Sequence, residues 1–155
     1  MKLKTLAFLS VILFAGIFLI AYSFSTEAAE TYTAVLAPSD TVSESQIKVY
    51  DNKIIIEIQN AQWASYTNTK SMSPVLDENA NGIEIVPKSI GEIHVGDIIA
   101  YETKWNSIPV VHRVIGIKQD KKGTYFVLKG DNNMKADAEK VRFSQVKYKL
   151  IAVIY

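Results

Sequence analysis

The sequence predicts a mainly β protein: an antiparallel, barrel-like or folded-sheet domain carried behind one amino-terminal transmembrane helix. Three observations carry that prediction. Residues 5–24 are uncharged and strongly apolar. The rest of the chain breaks into short β-branched and aromatic runs separated by turn residues. No stretch after residue 30 has the apolar spacing of a long amphipathic helix.

The elements follow in order. Lys2 and Lys4 precede the run TLAFLSVILFAGIFLIAYSF. At about 1.5 Å per residue that run reaches about 30 Å, the thickness of a bilayer's hydrocarbon core. A cleaved secretory signal has a shorter apolar stretch, about 7 to 15 residues. We therefore expect a retained anchor over residues 1–26, with cleavage after the small residues Ser23, Ser25, Ala28 and Ala29 as the alternative. Lysines before the span and Glu27 and Glu30 after it predict a cytoplasmic amino terminus. The expected arrangement is a single-pass protein of the cell membrane with its domain on the outer face. Residues 27–46, rich in Thr, Ser, Ala and Glu, read as a stalk or lead-in.

Residues 47–155 read as the β-rich domain. KVYDNKIIIEI suggests a hairpin turning at Asp51-Asn52. GIEIV, GDIIAYE, PVVHRVIGI, GTYFVLKG and VKYKLIAVIY follow as strand candidates. Turns are expected at Asn81-Gly82, Gly96-Asp97, Asn106 to Pro109, Lys122-Gly123 and Gly130-Asp131. The terminal LIAVIY is far too short to cross a bilayer and reads as a last strand.

Composition removes several function classes. The 155 residues are 48% apolar and 21% charged, enough apolar material for a packed core. Seventeen basic and sixteen acidic residues leave a net charge of +1, which offers no electrostatic case for a nucleic-acid partner. The absence of cysteine excludes disulfides, thiolate zinc sites and cysteine nucleophiles. With only His94 and His112, and no HExxH spacing, neither metal catalysis nor a cofactor is expected.

Candidate chemistry begins at SMSP, residues 71–74. A serine hydroxyl is a poor nucleophile until a base takes its proton. Pro74 stiffens the backbone beside Ser71 and biases Ser73 towards an extended conformation, which suits a nucleophile but equally an ordinary turn. His112, in VVHRVIGI, is the side chain best matched to taking a hydroxyl proton near neutral pH, though a strand histidine is commonly a satisfied core residue. Arg113 is expected on the opposite face of that strand. Asp131 and Asp137, in KGDNNMKAD, offer a carboxylate to orient an imidazole, although Gly-Asp-Asn-Asn is also a natural turn.

In order, SMSP, GDIIAY, VVHRVIGI and YFVLKGDNN followed by Asp137 resemble the boxes of type I signal peptidases. The likeness is to the archaeal and endoplasmic-reticulum branch, in which a histidine stands where the bacterial branch uses a lysine. It covers roughly residues 68–143. The resemblance implies a membrane-bound serine endopeptidase that removes signal peptides from secreted precursors, without metal or organic cofactor. By it, Ser71 would be the nucleophile and His112 the general base and acid. Asp137 would orient His112, with Asp131 the alternative orienter or the residue that holds the turn. The oxyanion donors would be the Ser71 N–H and the Thr69 hydroxyl. Met72, Val75 and Leu76 would line a shallow substrate pocket, touch lipid, or simply be core. Expected partners are signal-peptide-bearing preproteins and the bilayer, through residues 5–24. Accessory subunits are left open.

The chain departs from the family at Thr69-Lys70, where many relatives carry Ser-Gly, and a lysine does not take positive φ as freely as glycine. Lys70 and Lys129 are alternative bases; Lys70 is disfavoured because immediate neighbours on extended chain face opposite ways. The insertion between Pro74 and Val95 is expected to border the cleft or cover a sheet edge, with His94 a loop residue. A non-catalytic, membrane-anchored β domain that binds a partner or belongs to an envelope structure explains the anchor and strands equally well. It leaves the joint occurrence of the boxes unexplained. A self-cleaving regulator with a related β fold would need no membrane span.

Overall fold

Isoleucine, valine and tyrosine crowd the backbone at Cβ or beyond and favour extended chain. The computed structural model describes residues 35–155, and extended chain dominates them. The segment expected to cross the membrane, residues 5–24, lies outside the described residues. Among those described, no helix is long and apolar enough to cross a bilayer.

Eight strands form among the described residues: β1 (Ile47–Tyr50), β2 (Lys53–Ile56), β3 (Gln62–Ser65), β4 (Asn81–Ile85), β5 (Ile98–Tyr101), β6 (Val110–Asp120), β7 (Gly123–Lys129) and β8 (Val146–Ile154). Among the described residues the helical elements are three single 3₁₀ turns, at Glu44–Gln46, Ile90–Glu92 and Phe143–Gln145. β1 and β2 pair as the expected hairpin around Asp51-Asn52 and form a separate two-stranded sheet. The other six run antiparallel in the order β3-β4-β8-β5-β6-β7. β3 and β7 are edges, so this sheet is open rather than a closed barrel.

Asn81-Gly82, expected as a turn, instead opens β4, an interior strand. The reason is close packing: a Cβ on Gly82 would run into the Tyr66 hydroxyl and Leu150 Cδ1. The insertion after Pro74 therefore supplies a strand to the middle of the sheet as well as loops around it.

β5 is buried on both faces, and successive residues feed two different cores. Ile99 and Tyr101 pack with Val114, Phe126, Leu128 and Val141. Ile98 packs on the other side with Met72, Leu76, Ala80 and Leu150. Phe126 and Leu128 are fully buried, and truncating a buried phenylalanine to alanine costs about 3–5 kcal/mol.

A buried ion pair ties the segment after residue 34 to this sheet. Asp97 and Lys149 are 0% and 3% exposed, and their charges meet at 2.9 Å. Asp97 also accepts from the His94 N–H, the Ser39 N–H and the Ser39 hydroxyl. Burial alone would raise its carboxyl's pKa, but the Lys149 ammonium and these donors more than offset it and hold the pKa below the usual carboxylate range. Gly96, at φ +104°, lets the Ala37 carbonyl approach where any side chain would collide.

Candidate active site

β6 begins at Val110, but β7 pairs with it only from Arg113 onward, because β7 ends at Lys129. The first turn of chain beyond β7 is Gly130-Asp131-Asn132-Asn133, and it binds the loop carrying Ser71. The Asn132 N–H donates to the Ser71 carbonyl at 2.9 Å, and the Asn132 side-chain amide donates to the Lys70 carbonyl at 3.0 Å. The Asp131 N–H points to Met72 Sδ at 3.4 Å. A Cβ on Gly130 would lie 2.5 Å from the Ser71 carbonyl oxygen, so this approach requires glycine.

Residues 71–75 form a tight turn in which the Val75 and Leu76 N–H groups both donate to the Met72 carbonyl. The Ser73–Pro74 bond is cis. Lys70 adopts φ +60°, the left-handed conformation that glycine takes without strain. The conformation thus persists without the residue type that favours it. The Ser71 hydroxyl lies 3.1 Å from Thr69 Oγ1, and the Ser71 N–H lies 3.4 Å from the same oxygen.

The two faces of β6 serve two carboxylates. His112 Nδ1 meets Asp137 Oδ2 at 2.7 Å, with the imidazole largely buried. That contact leaves Nε2, which has no hydrogen-bond partner among the described residues, for proton transfer. Arg113 lies on the opposite face. Its Nε and Nη2 grip Asp131 at 2.8 and 2.7 Å, and its Nη1 donates to the Leu36 and Gly96 carbonyls. Asp131 is therefore occupied by a buried guanidinium, and Asp137 is the carboxylate at the histidine. Of the two orienters the sequence left open, the structure brings only Asp137 to His112.

Ser71 and His112 line one cavity of about 320 Å³. Met72 and Leu76 contribute to its lining while also belonging to the Ile98–Leu150 core. Val75 does not: it borders a separate cleft with Leu36, Pro38 and Val153. Val75 instead packs against the core of Met72, Leu76, Ile98 and Leu150, and its carbonyl accepts from the Tyr155 hydroxyl. Thr69 lines the cavity with Ser71, and Tyr66, Trp105, Ile108 and Val111 supply much of its wall.

Several contributors escaped the sequence reading. Tyr101 donates its hydroxyl to Asp137 Oδ2 at 2.8 Å. Asn132 and Gly130 act through the backbone, and Trp105 and Ile108 sit in a turn whose sequence carries no chemical signature. Lys129 is engaged by the Asn133 carbonyl, and Lys70 is exposed. His94 is an exposed loop residue, as expected. Among the described residues no cluster of three or more His, Asp or Glu side chains is arranged to hold a metal ion.

An alcohol and a carboxylate-held imidazole, side chains of the kinds serine hydrolases use, line one cleft on an open antiparallel sheet; among the described residues Ser71 Oγ is hydrogen-bonded to Thr69 Oγ1 and not to the His112 ring. Comparison with known proteins narrows that class. The chain is 52% identical over 44 residues to the signal peptidase complex catalytic subunit SEC11 of Eremothecium gossypii, covering 28% of this chain and 26% of that protein. It is 38% identical over 64 residues to the SEC11 subunit of Clavispora lusitaniae, covering 39% of each. An uncharacterized protein of Methanocaldococcus jannaschii is 42% identical over 66 residues, 43% of this chain and 30% of its own length. The matched stretches thus span about a quarter to two-fifths of these relatives' lengths. No family model and no solved structure matches. These relatives bear out the resemblance to the endoplasmic-reticulum and archaeal branch of type I signal peptidases.

Proposed function

We propose that this chain is a membrane-anchored serine endopeptidase that removes signal peptides from exported precursors. The observation that carries the proposal is the shared cavity: Ser71 and His112 border it together, and Asp137 holds the far nitrogen of the imidazole at 2.7 Å. The likeness to SEC11 catalytic subunits supports the same reading.

In this mechanism His112 Nε2 takes the Ser71 proton as Oγ attacks the scissile carbonyl. Asp137 holds the neutral ring with its proton on Nδ1 and stabilises the imidazolium that forms. The imidazolium then protonates the leaving amine, and a water, activated by the same base, releases the acyl group. The Thr69 hydroxyl, 3.1 Å from Ser71 Oγ, and the Ser71 N–H, which donates to Thr69 Oγ1 in the free chain and would turn to substrate, are the proposed donors for the developing oxyanion. Met72, Leu76 and Val111 give the cleft an apolar lining suited to the small residues that precede a signal-peptide cleavage site. An anchor over residues 5–24 would place the domain on the outer face of the membrane, where a precursor's apolar segment is itself held in lipid.

The test is processing of a preprotein by membranes containing the full chain, compared with Ser71→Ala and His112→Ala. Each variant is expected to lose activity by about 10³-fold or more. Equal processing by all three overturns the proposal. Thr69→Val should lower kcat by about 10²-fold with KM little changed; unchanged turnover in a folded variant removes Thr69 from the mechanism.

A further inference from the structure

We propose that Tyr101 is a positioning residue that holds the carboxylate which in turn holds the imidazole. The inference rests on the Ser-His-Asp reading above and adds a fourth member to it.

Tyr101 ends β5, and its register partner on β6 is Val110, while His112 pairs with Ile99. Directly opposed residues share a face of the sheet, so Tyr101 and His112 are diagonal neighbours on one face. From there the phenol hydroxyl donates to Asp137 Oδ2 at 2.8 Å, and the same oxygen meets His112 Nδ1 at 2.7 Å. The Asp137 backbone is pinned as well, its N–H donating to the Leu128 carbonyl at 2.8 Å. Tyr101 is only 1% exposed and packs among Ile99, Val114 and Phe126, so its ring has no freedom to swing away.

Two consequences follow for the histidine. The hydrogen bond fixes which carboxylate oxygen meets the ring, and it draws part of the negative charge on Oδ2 towards the phenol. The phenol serves as a constant donor rather than a proton carrier: burial, then the charges of Asp137 and Glu139, push its pKa far above the ordinary tyrosine range. Without the hydroxyl, Asp137 would be free to rotate and would present more charge to His112. The ring would then be less well aimed and more readily protonated.

The experiment uses the full chain and Tyr101→Phe, which keeps the buried ring. The expected result is a kcat lower by about tenfold with KM within about twofold, the pattern of an interaction made mainly in the transition state. The acid limb of the kcat/KM profile should move to higher pH. A second readout needs no turnover. In a Ser71→Ala background, ring-proton NMR follows His112, with His94 as the internal reference. Tyr101→Phe should move the His112 titration to higher pH and leave that of His94 in place. A variant with unchanged kcat and pH profile, and an unmoved His112 titration, overturns the proposal and makes Tyr101 a core residue only. If the wild type shows no Ser71-dependent cleavage, the peptidase reading fails separately, and the NMR comparison still decides whether the phenol acts on the imidazole.

Discussion

Asp131 accepts both arms of a buried guanidinium, whereas Asp137 accepts one imidazole and one phenol. Both belong to the same short segment, yet their surroundings differ in kind. The Asp131–Arg113 pair is 5% exposed on each side and couples β6 to the turn that carries the Ser71 loop. Asp137 is 16% exposed and sits against a titratable ring lining the cavity. One carboxylate holds the framework of the Ser71 loop, and the other holds the imidazole of His112, the proposed base. A permanently charged partner suits the first task and a titratable partner the second.

The comparison can be broken by neutralising each carboxylate in turn. Asp137→Asn should give the largest effect, a kcat lower by about 10⁴-fold with little change in thermal unfolding, because the ring loses the partner that sets its tautomer. Asp131→Asn should act first on the fold. It leaves Arg113 buried against a neutral amide and should cost about 3–5 kcal/mol in denaturant unfolding. Equal activity losses with equal stability losses in the two variants would erase the distinction drawn between them.

Gly130→Ala sharpens it further. The added methyl meets the Ser71 carbonyl oxygen, so the loop must shift; kcat is expected to fall by about 10²-fold, more than the accompanying stability loss accounts for. The buried Asp97–Lys149 pair provides a control that contacts neither Asp131 nor Asp137 by side chain, although the neighbouring Gly96 carbonyl accepts from Arg113. Its carboxyl titrates below its ordinary value of 3.8 in the folded chain, so the stability it contributes is fully present above that pH. It is lost as the pH falls through the lowered folded value. Asp97→Asn should accordingly lower unfolding stability near neutral pH by about 3–5 kcal/mol and flatten the acid limb of the stability curve. The smallest effect is expected at Lys70. Replacing it with glycine relieves the left-handed backbone while adding unfolded-state freedom, for a net gain of about 0.5 kcal/mol.

Much of the site was legible because its chemistry depends on residue type. Ser71 and His112 stand in short boxes whose order can be read directly, and Arg113 was placed on the far face of its strand by the period of two. The choice between Asp131 and Asp137 was not legible, since either could follow the same turn. Tyr101 could be read as a strand residue within GDIIAY, but nothing in that run marks its hydroxyl as Asp137's partner. Val75 was left open for a related reason: its apolar character fits a pocket or a core equally, and the structure packs it against the Met72–Leu150 core.

By itself, the sequence determined the extended backbone, the positions of most turns and the supply of an alcohol, an imidazole and carboxylates. These follow from side-chain shape, alternation and local conformational preference, which act over a few residues. The tertiary structure alone decided which carboxylate meets the imidazole, that the Gly130–Asn133 turn cradles the Ser71 carbonyl, and that Val75 leaves the cleft. Those outcomes depend on strand register and on where β7 stops beside β6. Register is set by pairing between distant segments, which a local reading of the chain does not contain.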